Sequence, residues 1–233
     1  MAVLTDEQIK EGYFNCIGGF PPDKIMKEVK DYKGETHLCV ACTQLDYHYC
    51  ERDQKWILAE WIDFLRTNTK ALNALHFNSR VPQRLFDAAC CQENLEELRF
   101  KWGAYTDLTA LKSLKRLKYL YIGSGAEVRD ITSLVNLKNL IVLYVENFKQ
   151  IEDYSPLTAL EKLEQLVISG PTLGYTPIKD LEFLYGMRSL VSIWLPNTTI
   201  RIKYTSEQLE NLRISLPNLY PVCDCIWGSK KSR

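Results

Sequence analysis

Apolar residues recur through the middle of this chain in one short phrase, written five times between residues 95 and 195. The copies are Leu95-x-x-Leu98-x-Phe100, Leu117-x-x-Leu120-x-Ile122, Leu140-x-x-Leu143-x-Val145, Leu163-x-x-Leu166-x-Ile168 and Leu190-x-x-Ile193-x-Leu195, at spacings of 22, 23, 23 and 27 residues. The alternation at the end of each phrase predicts a strand with one apolar face. A second phrase runs between them: Tyr105-x-Asp107-Leu108, Val128-x-Asp130-Ile131, Ile151-x-Asp153-Tyr154 and Ile178-x-Asp180-Leu181, each followed by apolar residues every third position. That spacing suits a 3₁₀ or α turn, with the Asp placed to cap its free N–H groups. Strand and short helix alternating at such a period predict a solenoid, because no unit buries its own apolar face and the units must stack.

Less regular copies extend the pattern. Leu72-x-x-Leu75-x-Phe77 stands 23 residues before Leu95, Cys42-x-x-Leu45-x-Tyr47 stands 30 before that, and Leu216-x-x-Leu219 lies 26 after Leu190. The first interval is long enough for a full helix, with Trp56, Ile57, Trp61, Ile62 and Leu65 on one face, and a second helix is expected between Pro82 and Cys91. Residues 1–36 read as a helical N-terminal cap over the apolar end of the first repeat, with helices from Thr5 to about Cys16 and from Pro22 to about Tyr32 around Gly18-Gly19-Phe20-Pro21. Residues 37–204 are the solenoid. Residues 205–233 are a C-terminal cap and tail: a helix opened by the Thr205–Gln208 capping box, then a last strand from Leu216 closing near Cys223-Asp224-Cys225.

These paired phrases resemble the leucine-rich-repeat proteins, nearest to the short-repeat kind found in bacterial internalins. The resemblance implies an α/β solenoid, with a curved parallel sheet on the concave face and short helices and 3₁₀ turns on the convex face. It also implies a protein-binding role inside a bacterial cell. The chain departs from that family at the ninth position of each repeat, where Asn or Cys is usual: here stand Cys50, Arg80, Gly103, Gly125, Phe148, Pro171 and Thr198. The turns therefore need another source of hydrogen bonds.

Composition narrows the function. Lys plus Arg and Asp plus Glu number 29 each in 233 residues, a balance that gives no electrostatic footprint for nucleic acid or an anionic membrane. The basic run Lys230-Lys231-Ser232-Arg233 reads as a solvated tail. No stretch approaches the roughly 20 apolar residues of a membrane span, and Thr5–Gln8 reads as a capping box and not as part of a secretory signal. Eight irregularly spaced cysteines, several at core positions, fit reduced thiols in a cytoplasmic protein.

Alternation turns the third, fifth and seventh positions of each strand onto the concave face. The fifth gives Asp46, His76, Arg99, Tyr121, Tyr144, Val167 and Trp194. The seventh gives His48, Asn78, Lys101, Gly123, Glu146, Ser169 and Pro196, and the third Gln44, Ala74, Glu97, Tyr119, Val142, Gln165 and Ser192. With strands about 4.8 Å apart, each set is a row about 30 Å long. Exposed Tyr, Trp and Arg on a rigid sheet suit protein recognition. The candidate partner-binding residues are therefore Asp46, His48, His76, Arg99, Lys101, Tyr119, Tyr121, Tyr144, Glu146 and Trp194, in a non-catalytic module that is expected to be monomeric, needs no cofactor or metal, and takes a protein partner.

Two alternatives stand beside this reading, one from a side-chain cluster and one, adhesion, implied by the resemblance. Asp46, His48 and His76, neighbours in this register, suit a metal ion or an acid–base pair in a hydrolytic enzyme; a secreted or surface adhesion module is the other. His37-x-Cys39-x-x-Cys42…His48-x-Cys50 contains half a zinc motif, but the register points its members apart and favours buried thiols. Packing is also the reading for Cys90-Cys91 and Cys223/Cys225. No Gly-rich phosphate loop, serine elbow or His-Glu-x-x-His motif occurs.

Overall fold

In the computed structural model, which describes residues 2–19 and 24–220, the five leucine phrases become strands stacked in one parallel sheet. In chain order the strands are β1 (Ile25–Met26), β2 (His37–Val40), β3 (Ala74–Phe77), β4 (Val81–Pro82), β5 (Glu97–Phe100), β6 (Gly103–Ala104), β7 (Tyr119–Ile122), β8 (Val142–Glu146), β9 (Gln165–Ser169), β10 (Thr176–Ile178), β11 (Ser192–Trp194) and β12 (Thr198–Ile200). Eight of them form the main sheet in the order β1-β2-β3-β5-β7-β8-β9-β11; β4 pairs with β6 and β10 with β12 at the turns. Helices are α1 (Asp6–Glu11), α2 (Tyr13–Cys16), α3 (Glu51–Thr67), α4 (Gln83–Ala89) and α5 (Ser206–Ser215).

The register is the one the spacing demands. Leu98 pairs with Leu120, Leu120 with Leu143, Leu143 with Leu166, and Leu166 with Ile193, and all five are fully buried. Fully burying a leucine contributes about 1.5–3 kcal/mol, so this column supplies much of the force that stacks the units. Four 3₁₀ turns return the chain on the convex side, at Thr109–Ser113, Thr132–Asn136, Ser155–Ala159 and Glu182–Gly186. Each is entered by an Asp whose carboxylate accepts the N–H two residues on: Asp107 from Thr109, Asp130 from Thr132, Asp153 from Ser155 and Asp180 from Glu182, at 2.7 to 3.1 Å.

The turns after the strands are satisfied by main chain together with scattered side-chain amides, Gln83 accepting the N–H groups of Thr106 and Asp107 and Asn197 donating to Pro171 O. Gly123 N–H donates to Phe100 O and Gly170 N–H to Pro196 O, both at 2.8 Å, while the Tyr105 hydroxyl donates to Gly123 O. Such close approach requires glycine: a Cβ at Gly123 would lie 2.1 Å from Lys101 O, and one at Gly170 1.8 Å from Asn197 O.

Both ends shift from the register expected of them. The first repeat is not Cys42-x-x-Leu45-x-Tyr47 but Glu35-x-x-Leu38-x-Val40, since Leu38 pairs with Leu75 and Cys39 with His76. At the far end Leu219, not Leu216, takes the place of Leu190. Leu219 N–H donates to Leu216 O as Leu190 N–H does to Met187 O, and Tyr220 N–H reaches Val191 O at 2.8 Å. Residues 216–219 thus form a turn, and the closing strand expected near Cys223-Asp224-Cys225, like the basic tail, lies outside the described residues. Helices α3, α4 and α5 stand where periodicity and capping place them, although Trp56 is exposed and Phe64 joins Ile57, Trp61 and Leu65 on the buried face of α3.

The N-terminal segment departs most from expectation. In place of the helix expected to run to about Tyr32, residues 24–32 form β1, which pairs with β2 at the sheet edge, and a 3₁₀ turn, Val29–Asp31; the expected start at Pro22 lies outside the described residues. Met26, Val29 and Tyr32 pack against the first repeat there, and Trp61 Nε1 donates to Lys27 O at 2.8 Å. Residues 3–18 are elsewhere, across the concave face.

A concave face held by the chain's own N-terminus

On the concave face the fifth-position row runs Cys39, His76, Arg99, Tyr121, Tyr144, Val167 and Trp194, side by side on adjacent strands. The third-position row is His37, Ala74, Glu97, Tyr119, Val142, Gln165 and Ser192. Six strands of seven therefore carry the residues expected of them. The exception removes Asp46 and His48 from the face.

The N-terminal strap lies over the middle and far end of these rows. Its start is held by Glu164, whose carboxylate accepts Val3 N–H at 2.7 and 2.9 Å and Leu4 N–H at 3.0 Å. Helix α1 then lies over β9 and β11: the Gln165 amide donates to Gln8 O at 3.0 Å and the Ser192 hydroxyl to Ile9 O at 3.2 Å. At Gly12, whose φ of +87° ends α1, the chain turns beside the Trp194 ring and starts back. Tyr13 N–H donates to the Gln165 side-chain oxygen at 2.8 Å, so one amide holds two points of the strap main chain.

Helix α2 supplies the aromatic anchors. The Tyr13 ring stacks on Tyr119, and Phe14 meets Tyr121 edge-on with centroids 5.4 Å apart. Tyr121 stacks on Tyr144 in turn, and its hydroxyl donates to Glu146 at 2.8 Å. The Tyr13 hydroxyl donates to Glu97 at 2.7 Å, and the other oxygen of Glu97 is bonded to His76 Nε2. Burial pushes the Glu97 carboxyl up, but the bonds from His76 and then Tyr13 outweigh it and hold the group below its usual range. Burial, reinforced by Glu97, drives the Tyr13 hydroxyl well above an ordinary phenol, as burial and Glu146 do for Tyr121. Both remain protonated donors at any physiological pH.

Beyond the strap the first part of the face is open. Arg99 donates to Gly18 O at 3.0 Å and lies over the Phe14 and Tyr121 rings. Lys101 reaches Asn78 at 3.3 Å and lies over Trp102. Together with Cys39, His76, Asn78 and Gly19, these two cations line a pocket of about 170 Å³.

The candidate residues thus divide into three groups. Tyr119, Tyr121, Tyr144, Glu146 and Trp194 lie under or beside the strap, and Arg99 at its end. Lys101 and His76 border the open part. Asp46 and His48 lie in the loop before α3, where Asp46 pairs with Lys27 at 2.7 Å and accepts His48 N–H at 3.2 Å. His76 is bound to Glu97 instead, so the acid–base or metal cluster of Asp46, His48 and His76 is not assembled. Cys42 is in the core, Cys39 on the concave face and His48 in solvent, which disperses the half zinc motif. Among the described residues no three His, Cys, Asp or Glu side chains gather as a metal site, and no helix is long and apolar enough to cross a membrane.

Sequence reasoning missed the groups that hold the strap. Gln165 and Ser192 appear in the third-position row but carry no aromatic or charged signal, and Glu164 precedes its strand. The strap's apolar residues, Leu4, Ile9, Tyr13 and Phe14, fall within the segment expected to cap the first repeat.

No family model and no curated protein matches the chain. Among solved structures it is similar to an internalin, inlF, of Listeria monocytogenes, at 26% identity over 66% of this chain and 48% of that one, with a TM-score of 0.49. Internalin C2 of the same species shows 26% identity over 55% and 52% of the two chains, TM-score 0.43. The plant peptide hormone receptor RGFR1, solved in complex with RGF2, shows 16% identity over 68% and 25%, TM-score 0.48. The chain spans about half the length of the two internalin chains and a quarter of the receptor chain.

Proposed function

We propose that this leucine-rich-repeat solenoid is a non-catalytic protein-recognition module, monomeric and working in the reducing interior of a bacterial cell, whose partner is received on the concave sheet face. The observation that carries this reading is chemical. The face already holds a polypeptide segment, gripping its main chain with Glu164, Gln165 and Ser192 and its rings with Tyr119 and Tyr121. A surface that does this has the donors, acceptors and rigid aromatic area that recognition of a protein requires. The open third, with Arg99 and Lys101, adds charge for orientation. Buried thiols at Cys39, Cys42 and Cys90 pack as apolar groups, which supports the reducing compartment.

The test is placement of a photo-cross-linker in the full chain, once at Asn78 on the concave face and once at the exposed Asn136 in a convex 3₁₀ turn, in native lysate. Capture of one protein from the concave position, reduced at least tenfold by Lys101→Glu, is the expected result. Capture from the convex position alone overturns the reading.

A further inference from the structure

The hydrophobic contacts of the strap form a cluster apart from the solenoid core. Leu4, Ile9, Tyr13 and Phe14 pack with Ile141, Val142 and Val191, while the stacked leucines form a separate and complete core beneath the sheet. The strap adds no strand to the sheet; its polar attachments run from solenoid side chains to strap main chain, apart from the Tyr13–Glu97 bond. This is the manner in which a bound peptide is held. Main-chain contacts fix any segment of suitable shape, and pockets for particular side chains select among segments. Gln165 and Ser192 are almost wholly buried and bond the strap main chain, and neither belongs to the leucine column.

We propose that the concave face is a peptide-binding site which residues 3–18 occupy in cis, and that its partner is a protein segment presenting the same groups in the same order. Those groups are two consecutive main-chain N–H groups for Glu164, an aliphatic anchor in the place of Ile9, and a Tyr-Phe pair at the start of a helical turn. The inference deepens the recognition reading and rests on it, since it names what the face recognises. A short tether gives a segment an effective concentration on the order of 1 mM. The strap therefore excludes weak ligands and admits only a segment that binds well enough to displace it.

The experiment uses the full chain and a fluorescent synthetic peptide of residues 2–19. The double variant Tyr13→Ala/Phe14→Ala removes the aromatic anchors in cis, and hydrogen exchange then follows the strap and the solenoid amides separately. Expected are strap amides exchanging at least tenfold faster with solenoid amides unchanged, and peptide binding to the variant at least tenfold tighter than to the wild-type chain. Adding Gln165→Ala to the variant should abolish that binding, and a peptide of scrambled order should not bind. The proposal is overturned if the strap opens and the peptide still does not bind, if the strap amides stay as protected as the sheet, or if the solenoid unfolds with the strap. The milder Tyr13→Phe variant, which keeps the ring and loses only the bond to Glu97, separates the last outcome from simple misfolding: a folded Tyr13→Phe chain should show intermediate peptide binding. Failure here leaves the cross-linking result untouched, so the two claims fall separately.

Discussion

The Tyr13 ring lies parallel to that of Tyr119, centroids 4.1 Å apart and planes within 2° of each other, although 106 positions separate them in the chain. The phenol of the strap ring donates at the same time to Glu97, one strand over. A stacked pair contributes about 0.5–1.5 kcal/mol beyond area burial, and a hydrogen bond to a charged acceptor about 1.5–3 kcal/mol. Tyr13→Ala should therefore loosen the strap by about 2–4 kcal/mol. Exchange of the amides in α1 and α2 should accelerate by roughly ten- to a thousandfold, with the protection of β7, β8 and β9 unchanged; uniform acceleration across the sheet would contradict this.

The pH dependence of that anchorage follows from Glu97. Its carboxyl is held below the ordinary Glu value of 4.5, so the folded state favours the ionised form. The contribution is fully present above about pH 4.5 and is lost as pH falls through the lower folded value. Glu97→Gln should lower the melting temperature at pH 7, and the gap from wild type should close as the buffer is taken below pH 4. A gap that stays constant with pH would show that Glu97 is not the titrating anchor.

Close backbone approach at the turns makes two glycines different in kind. Gly170→Ala sets a methyl 1.8 Å from Asn197 O and should destabilise by about 1–3 kcal/mol, measured by urea unfolding. Gly19→Ala, with nothing within 4 Å of its added carbon, should be neutral within about 0.5 kcal/mol.

The leucine column predicts its own cost. Leu143→Ala, between Leu120 and Leu166, should lose about 2–5 kcal/mol because rigid neighbours on both sides prevent collapse of the cavity. A loss below about 1 kcal/mol would mean that the stack is not the source of stability.

Thiol reactivity should sort by burial. Desolvation drives Cys42 to about 12 and Cys39 to about 11, whereas Cys50 is exposed at the start of α3. Iodoacetamide at pH 8 should modify the exposed Cys16 and Cys50 first and leave Cys39 and Cys42 unmodified until denaturant is added, as read by peptide mass.

Most of the scaffold was legible in the amino-acid order. Leu98, Leu120, Leu143, Leu166 and Ile193 declare their stack because each meets equivalent neighbours on both sides, and a repeated environment leaves a repeated residue. The same logic placed Arg99, Tyr121, Tyr144 and Trp194 in one row, since the strand period of two is fixed by backbone geometry. At the ends that logic weakens. Leu38 and Leu45 both fit the phrase, and Leu216 and Leu219 likewise; a terminal repeat has one neighbour, so only packing chose between them.

What lies on the concave face was decided by tertiary structure alone. Leu4, Ile9, Tyr13 and Phe14 mark an apolar side of the N-terminus without saying what covers it, and nothing in the polar character of Glu164, Gln165 and Ser192 marks them as groups that bond a crossing main chain. Contacts between residue 13 and residue 119 occur once and leave no periodic trace. The stack can be read from amino-acid order because it repeats; the strap that crosses it is a single long-range event, fixed only by the shape and the hydrogen-bonding side chains of the folded sheet.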